Sequence, residues 1–275
     1  MMKNLYFLWF IFLLSFSEIS FSKDVHKSWD NAIVLLPNTA QRVKTSEIKI
    51  NKKVPVLIYL HGCTGIHPNH DLYGWADYIA GLGVLVILPD SFARDGRVAN
   101  CDTTFKRRSG KFPNAYMYRQ EEIGYVISQL KSLSMFNDKN FFLMGHSEGG
   151  SATAESTYTD FAGIIISGWT CTDTTGFYKS GISSPKHVPI LAIADINDPW
   201  RIGSVVHGRC KDWDSGRNLT QVDLSAGGHE TYYDLRAREA VLNFLKTNVV
   251  GHTILPPNKI ELESNEADEP LVLLN

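Results

Sequence analysis

Residues 141–152, FFLMGHSEGGSA, constrain the fold of this chain more than any other stretch. Four apolar residues, Phe141 to Met144, run straight into Gly145-His146-Ser147-Glu148-Gly149, and small residues follow at once. Where a buried strand turns directly into a tightly packed helix, the backbones nearly touch and the turn needs unusual dihedrals, so glycine is required. A polar residue fenced in this way is the pattern of a turn that lifts a serine hydroxyl clear of a sheet. An ordinary glycine-rich turn would carry the same letters. The rest of the chain has to decide.

From Lys53 onward, apolar runs of strand length alternate with amphipathic helical patterns, the signature of an α/β protein with a mostly parallel sheet. Val54 to Leu60 is almost wholly apolar, as expected of a strand covered on both faces. Leu72, Trp75, Ala76, Ile79 and Leu82 recur at helical spacing, and so do Ile123, Val126, Ile127, Leu130 and Leu133. Val84–Leu88, Phe141–Met144, Ile164–Ile166 and Pro189–Ala194 read as central strands, and Leu219–Leu224 as one nearer the edge. Gly149 to about Tyr158 is expected to be the helix leaving the serine turn, and Thr231 to about Val249 the closing helix. Upstream, Ala32–Leu36 and Glu47–Ile50 read as short edge strands.

At 275 residues, with 44% hydrophobic and 20% charged residues, one domain is the economical reading. The net charge of −2 points neither to nucleic acid nor to an acidic membrane surface. The N-terminus stands apart. Lys3 precedes an apolar run over residues 5–16, and small residues surround Ser20 to Ser22. This reads as a secretory signal peptide over residues 1–22, too short to span a bilayer comfortably. The domain then covers 23–250, and 251–275 is an acidic tail with no basic residue after Lys259. A secreted or periplasmic location with no stable membrane insertion is expected, and the four cysteines could pair there.

A serine hydroxyl needs a base to take its proton, and the base needs an acid to orient it. On this architecture they follow in the order serine, acid, histidine, each on a loop at a strand's carboxyl end. His229 is the candidate base, because Gly227 and Gly228 make room for it after the last strand. Asp195 and Asp198 both follow the strand ending at Ala194. Asp198 is preferred, since Pro199 holds it extended and loop length is needed to reach the histidine; Asp195 then forms the turn or supports from behind. The candidate oxyanion donors are the backbone N–H of Glu148, just after Ser147, and that of Cys63 in the turn His61-Gly62-Cys63-Thr64-Gly65.

YLHGCTG, PDSF, GHSEGG, INDPW and GGHE together resemble the dienelactone hydrolase family of α/β-hydrolases, over roughly Val54 to Val249. The resemblance implies the α/β-hydrolase fold, with an eight-stranded, mostly parallel sheet and helices on both faces. It also implies a Ser-Asp-His triad of Ser147, Asp198 and His229, and no cofactor. Dienelactone hydrolases themselves carry a cysteine nucleophile where this chain has Ser147, so a general carboxylic ester hydrolase is the carry-over. The strand order implied by the resemblance sets the loops of Cys63 and Cys101 side by side, and those of Cys171 and Cys210. Disulfides Cys63–Cys101 and Cys171–Cys210 are expected on that basis.

Trp169 and Trp200 are candidates for lining a substrate pocket, or equally for capping the core. Arg97, Lys106, Arg107 and Arg108 read as a solvated basic face in a long polar loop. His67-Pro68-Asn69-His70-Asp71 lacks a third ligand at a diagnostic spacing, so no metal is expected. The reading reached is an exported serine hydrolase acting on a small-molecule ester. Its alternatives are a peptidase or amidase on the same fold, or a non-catalytic binding protein that retained it. Oligomeric state has no signal in the sequence.

Overall fold

The computed structural model describes residues 21–39, 41–67, 71–109, 111–112, 114–173, 179–200 and 208–256. The expected signal peptide lies outside the described residues except for Phe21 and Ser22, and so do most of the acidic tail and part of the His67–Asp71 motif. In chain order the elements begin with α1 (His26–Asp30), β1 (Ile33–Leu35), β2 (Arg42–Val43), β3 (Val56–Leu60), α2 (Asp71–Gly81) and β4 (Leu85–Leu88). A short hairpin, β5 (Cys101–Asp102) and β6 (Arg107–Arg108), precedes α3 (Ala115–Lys131). The second half contains β7 (Phe141–His146), α4 (Glu148–Ala154), β8 (Gly163–Ser167), β9 (Ile190–Asp195), β10 (Leu219–Leu224) and α5 (Leu235–Asn248).

Eight strands form one sheet in the order β10-β9-β8-β7-β3-β4-β1-β2. The six from β10 to β4 are parallel, and β1 and β2 join antiparallel at one edge. The central strands are apolar throughout because successive residues face opposite sides, and both sides are covered. Val56, Ile58, Leu60, Phe141, Leu143, Ile164 and Ile166 pack with Ile123, Val126 and Leu130 of α3 and Ala152 of α4. Leu57, Tyr59, Phe142, Met144, Ile165 and Ile193 pack on the other side with Trp75 and Ile79 of α2 and Val241 and Leu245 of α5. Two layers of helix thus enclose one sheet.

The order reverses between β3 and β7: after β3 the chain builds toward β4, then returns to add β7 on the other side. In open α/β sheets, ligands bind at the carboxyl ends of strands at such a reversal. The Gly62–Gly65 turn leaves β3 there and the Ser147 turn leaves β7.

Several boundaries differ from expectation. The edge strand upstream is Arg42–Val43, whereas Thr45–Glu47 forms a 3-10 turn closed by the Glu47 carboxylate accepting from the Lys44 N–H at 2.8 Å. The closing helix begins at Leu235 rather than Thr231, because the Asp234 side chain accepts from the Arg236 N–H at 2.9 Å and caps it. The helix from the serine turn stops at Ala154, and α3 begins eight residues before its apolar stripe, at Ala115. The Phe21 ring meets Tyr125 edge-on at 5.5 Å, and the Ser22 hydroxyl donates to Glu121 Oε2 at 2.6 Å.

Both disulfides are formed, Cys63–Cys101 and Cys171–Cys210. The second joins the loop after β8 to the turn before β10, across a separation of 39 residues. In the chain-entropy account, a loop of that length stabilises the fold by about 4 kcal/mol. Replacing Cys171 and Cys210 together by serine should therefore lower the unfolding free energy by roughly that amount, measured by urea denaturation.

Candidate active site

Ser147 stands between β7 and α4 at φ 56°, ψ −114°, a conformation an L-residue adopts only where its surroundings impose it. The surroundings are backbone. A Cβ on Gly149 would lie 2.1 Å from the Leu60 carbonyl oxygen, and one on Gly145 would lie 2.1 Å from the Gly149 oxygen. A Cβ on Gly150 would meet the Ser167 oxygen at 2.7 Å. Helix α4 is therefore pressed against β3 and β8 with no space for a side chain, and the Ser147 N–H donates to the Ser167 carbonyl at 2.9 Å. The turn is fixed from both flanks.

His229 Nδ1 lies 2.7 Å from Asp198 Oδ2. A carboxylate only accepts, so Nδ1 carries the proton and Nε2 is left as the ring's acceptor. Asp198 is buried, and its other oxygen accepts from the Trp200 N–H at 2.8 Å. Asp195 is engaged elsewhere: it accepts from the N–H of Asn197 at 2.7 Å and of Gly227 at 2.9 Å. That pair of bonds ties the loop after β9 to the loop that carries His229.

Gly62, Cys63, Ser147, Trp200 and His229 line one cavity of ≈ 460 Å³, with Thr103 and Lys106 of the hairpin on its wall. The Trp200 ring lies 5.4 Å from the His229 ring at a tilt of 36°, and Lys106 Nζ stands 5.7 Å from the Trp200 centroid. Trp169 packs against the core instead, beside Gly150 of α4. Two lining residues carried no sequence signal. His146 lies with its ring 4.7 Å from that of His229, and Glu230 Oε2 is 3.5 Å from His146 Nε2. Among the described residues no group of three or more metal-ligating side chains is gathered.

The expectation of a solvated basic loop needs correction at Arg97. Arg97 is 5% exposed, and its guanidinium pairs with the buried Glu148 carboxylate. Phe92 and Phe112 lie against it at 4.8 and 4.7 Å. Arg119 and Glu122 of α3 are also wholly buried, although the only periodic signal of that helix in the sequence is its apolar stripe. Nothing in a lone i,i+3 Arg/Glu pair distinguishes a buried network from a solvated face.

His61, at the end of β3, belongs to the same network. Its Nδ1 donates to the Gly62 carbonyl at 2.7 Å, and its Nε2 accepts from the Ser91 N–H at 3.2 Å. Burial above all, and then the Arg119 charge, hold the imidazole pKa well below 6.5, whereas burial pushes the Glu122 carboxyl up against the opposing pull of Arg119.

A scan against protein-family models and a search of curated proteins found no match by sequence. Solved structures do match. A protein of Klebsiella pneumoniae described as a dienelactone hydrolase aligns with a TM-score of 0.54 at 13% identity, over 79% of this chain and 98% of its own. A phospholipase/carboxylesterase of Dyadobacter fermentans gives 0.50 at 15% identity, over 83% and 98%. Est1E of Butyrivibrio proteoclasticus, with ferulic acid bound, gives 0.52 at 15% identity, over 79% and 94%. The fold is that of the α/β-hydrolases.

Two outcomes follow from this packing. Gly149→Ala drives a methyl group into the Leu60 carbonyl and should destabilise the protein by about 3 kcal/mol, read from urea midpoints. The unfolded chain binds a proton at His61 that the folded chain refuses, so stability is lost as pH falls below 6.5. That loss approaches about 1.4 kcal/mol per pH unit, and His61→Gln should flatten the slope relative to the parent between about pH 7.5 and 5.5.

Proposed function

We propose that this protein is an exported serine hydrolase that cleaves a carboxylic ester of a small molecule through an acyl-enzyme. The observation that carries the reading is the 2.7 Å bond from buried Asp198 to His229, which lines one cavity with Ser147. Ser147 Oγ attacks the ester carbonyl carbon while His229 Nε2 takes its proton. Asp198 holds the tautomer and stabilises the imidazolium. The N–H groups of Cys63 and Glu148 receive the oxyanion. Collapse of the tetrahedral adduct expels the alcohol, which leaves with the proton from His229. Water then attacks the acyl-enzyme by the same route and releases the carboxylic acid, with Ser147 reprotonated.

Export is supported by the apolar N-terminal run and by the two disulfides, bonds that persist in oxidising compartments. No helix among the described residues is long and apolar enough to cross a membrane. An ester is favoured because the solved relatives reported above include a carboxylesterase and a dienelactone hydrolase on the same fold.

Ser147→Ala and His229→Ala should each lower kcat on p-nitrophenyl acetate by about 10³-fold or more, with unfolding midpoints close to the parent. Fluorophosphonate should label the parent and not the Ser147 variant. A parent that neither reacts with the probe nor turns over any ester is a binding protein on this fold. The acid is tested separately. Asp198→Asn should cost most of the activity and Asp195→Asn little; the reverse result assigns the role to Asp195.

A further inference from the structure

The buried charges behind the cavity are arranged around one guanidinium. Arg119 Nη2 donates to the His61 carbonyl at 2.9 Å, and it lies 3.4 Å from the Gly62 carbonyl. The same nitrogen reaches Glu148 Oε1 at 3.2 Å, and Nε reaches that oxygen at 3.3 Å. Arg97 holds the Glu148 carboxylate from another side, and Glu122 Oε2 balances Arg119 Nη1 at 3.4 Å. One planar, pre-organised fork therefore grips both the turn that leaves β3 and the first residue of α4.

Those two segments carry the N–H groups of Cys63 and Glu148. Rate in an acyl transfer depends on donors fixed where the oxyanion will form, and a misplacement of about 1 Å costs on the order of 10²-fold. Stability alone does not call for such a cluster, since a buried ion network can often be replaced by apolar side chains at no loss. An apolar residue at 119 could fill the space. It could not hold a carbonyl and a carboxylate in one fixed relation. Arg119 does not line the cavity, so any influence on the reaction runs through the two turns.

We infer that Arg119, acting with the Glu148 carboxylate, is a positioning residue that sets the relative placement of the two oxyanion donors. This rests on the serine-hydrolase reading above. Lysine cannot replace the fork, because a single ammonium is a point charge that does not span both partners.

The test compares Arg119→Lys, Arg119→Met and the isosteric Glu148→Gln with the parent. Each is followed by circular dichroism, by kcat and KM on p-nitrophenyl acetate, and by inhibition with phenylboronic acid, which forms a tetrahedral anionic adduct on an active serine. The expected result is a kcat about 10²-fold lower in Arg119→Met, with KM changed by less than about 3-fold. Phenylboronic acid should weaken in proportion to kcat across the series, and Arg119→Lys should recover only part of both losses. If Arg119→Met does not fold, Arg119→Lys and Glu148→Gln carry the same comparison. Variants that melt earlier yet keep kcat and boronate affinity within about 3-fold of the parent would overturn the positioning role. So would a loss expressed in KM alone. Fluorophosphonate labelling of the parent separates the two claims: an unlabelled, inactive parent refutes the hydrolase reading itself, and the positioning role falls with it.

Discussion

The structure depends on a backbone contact with no side chain in it. Gly149 of α4 approaches the Leu60 carbonyl so closely that a Cβ would stand 2.1 Å from it, and Gly145 and Gly150 allow the same approach to β7 and β8. This contact holds Ser147 at a φ of 56°, and Ser147 lines the cavity beside that turn. It also puts α4 in register with the end of β3, so that the N–H of Glu148 and the turn at Cys63 share one neighbourhood. A conformation of this sort costs about 1–3 kcal/mol in isolation and persists only where packing over-determines it. Here the central strands supply that packing, with Phe141 to Met144 and Val56 to Leu60 fully buried on both faces.

A second constraint lies just beneath. Arg97, Arg119, Glu122 and Glu148 are all at most 5% exposed, and His61 is fully buried among them. Their charges offset one another in a region where water cannot, and each side chain accounts for the burial of the next. Arg94 extends the arrangement outward, with its guanidinium 3.7 Å from the Tyr118 ring and paired to Asp24 and Glu121. The N-terminal segment before α1 is thereby fastened to α3 by charge as well as by the Phe21–Tyr125 contact.

Sequence reasoning reached the central sheet because its information is local. Apolar runs such as Val84–Leu88 and Ile164–Ile166 have one economical home, and Gly145, Ser147 and Gly149 report a geometry that few other residues tolerate. In the loop from Asp195 to Trp200 the sequence offers two carboxylates, and the Asp198–His229 contact at 2.7 Å is a long-range feature that no local pattern carries. Elements whose identity is decided by distant partners were not legible. Glu47–Ile50 alternates like a strand, but Glu47 closes a turn on Lys44. Thr231 looks like a helix start, yet its hydroxyl is taken by Trp75 Nε1 at 3.1 Å and by Ser167 at 2.7 Å, while Asp234 supplies the cap. Arg97 reads as solvated in the sequence because neither Glu148 nor Phe112, both packed on it, is near it along the chain. Trp169 and Trp200 look alike as letters and both follow parallel strands; only their packing, Trp169 beside Gly150 of α4 and Trp200 against the His229 ring, separates the core residue from the cavity residue.

The β5–β6 hairpin shares no strand pairing with the main sheet. It is held at its base by the Cys63–Cys101 bond, by the Asn100 N–H donating to the Cys63 carbonyl at 3.4 Å, and by the Asn100 side chain accepting from Phe112 N–H at 3.2 Å. Its far end, at Phe105, is 68% exposed. The wall that carries Thr103 and Lys106 is thus a lever hinged at one covalent point, while the serine turn and the Asp198–His229 pair are built into the sheet's own loops. The covalent half of that hinge exists only after oxidation. Reduction of the Cys63–Cys101 bond would leave that wall of the cavity on hydrogen bonds alone, while the Asp198–His229 pair keeps its own contact.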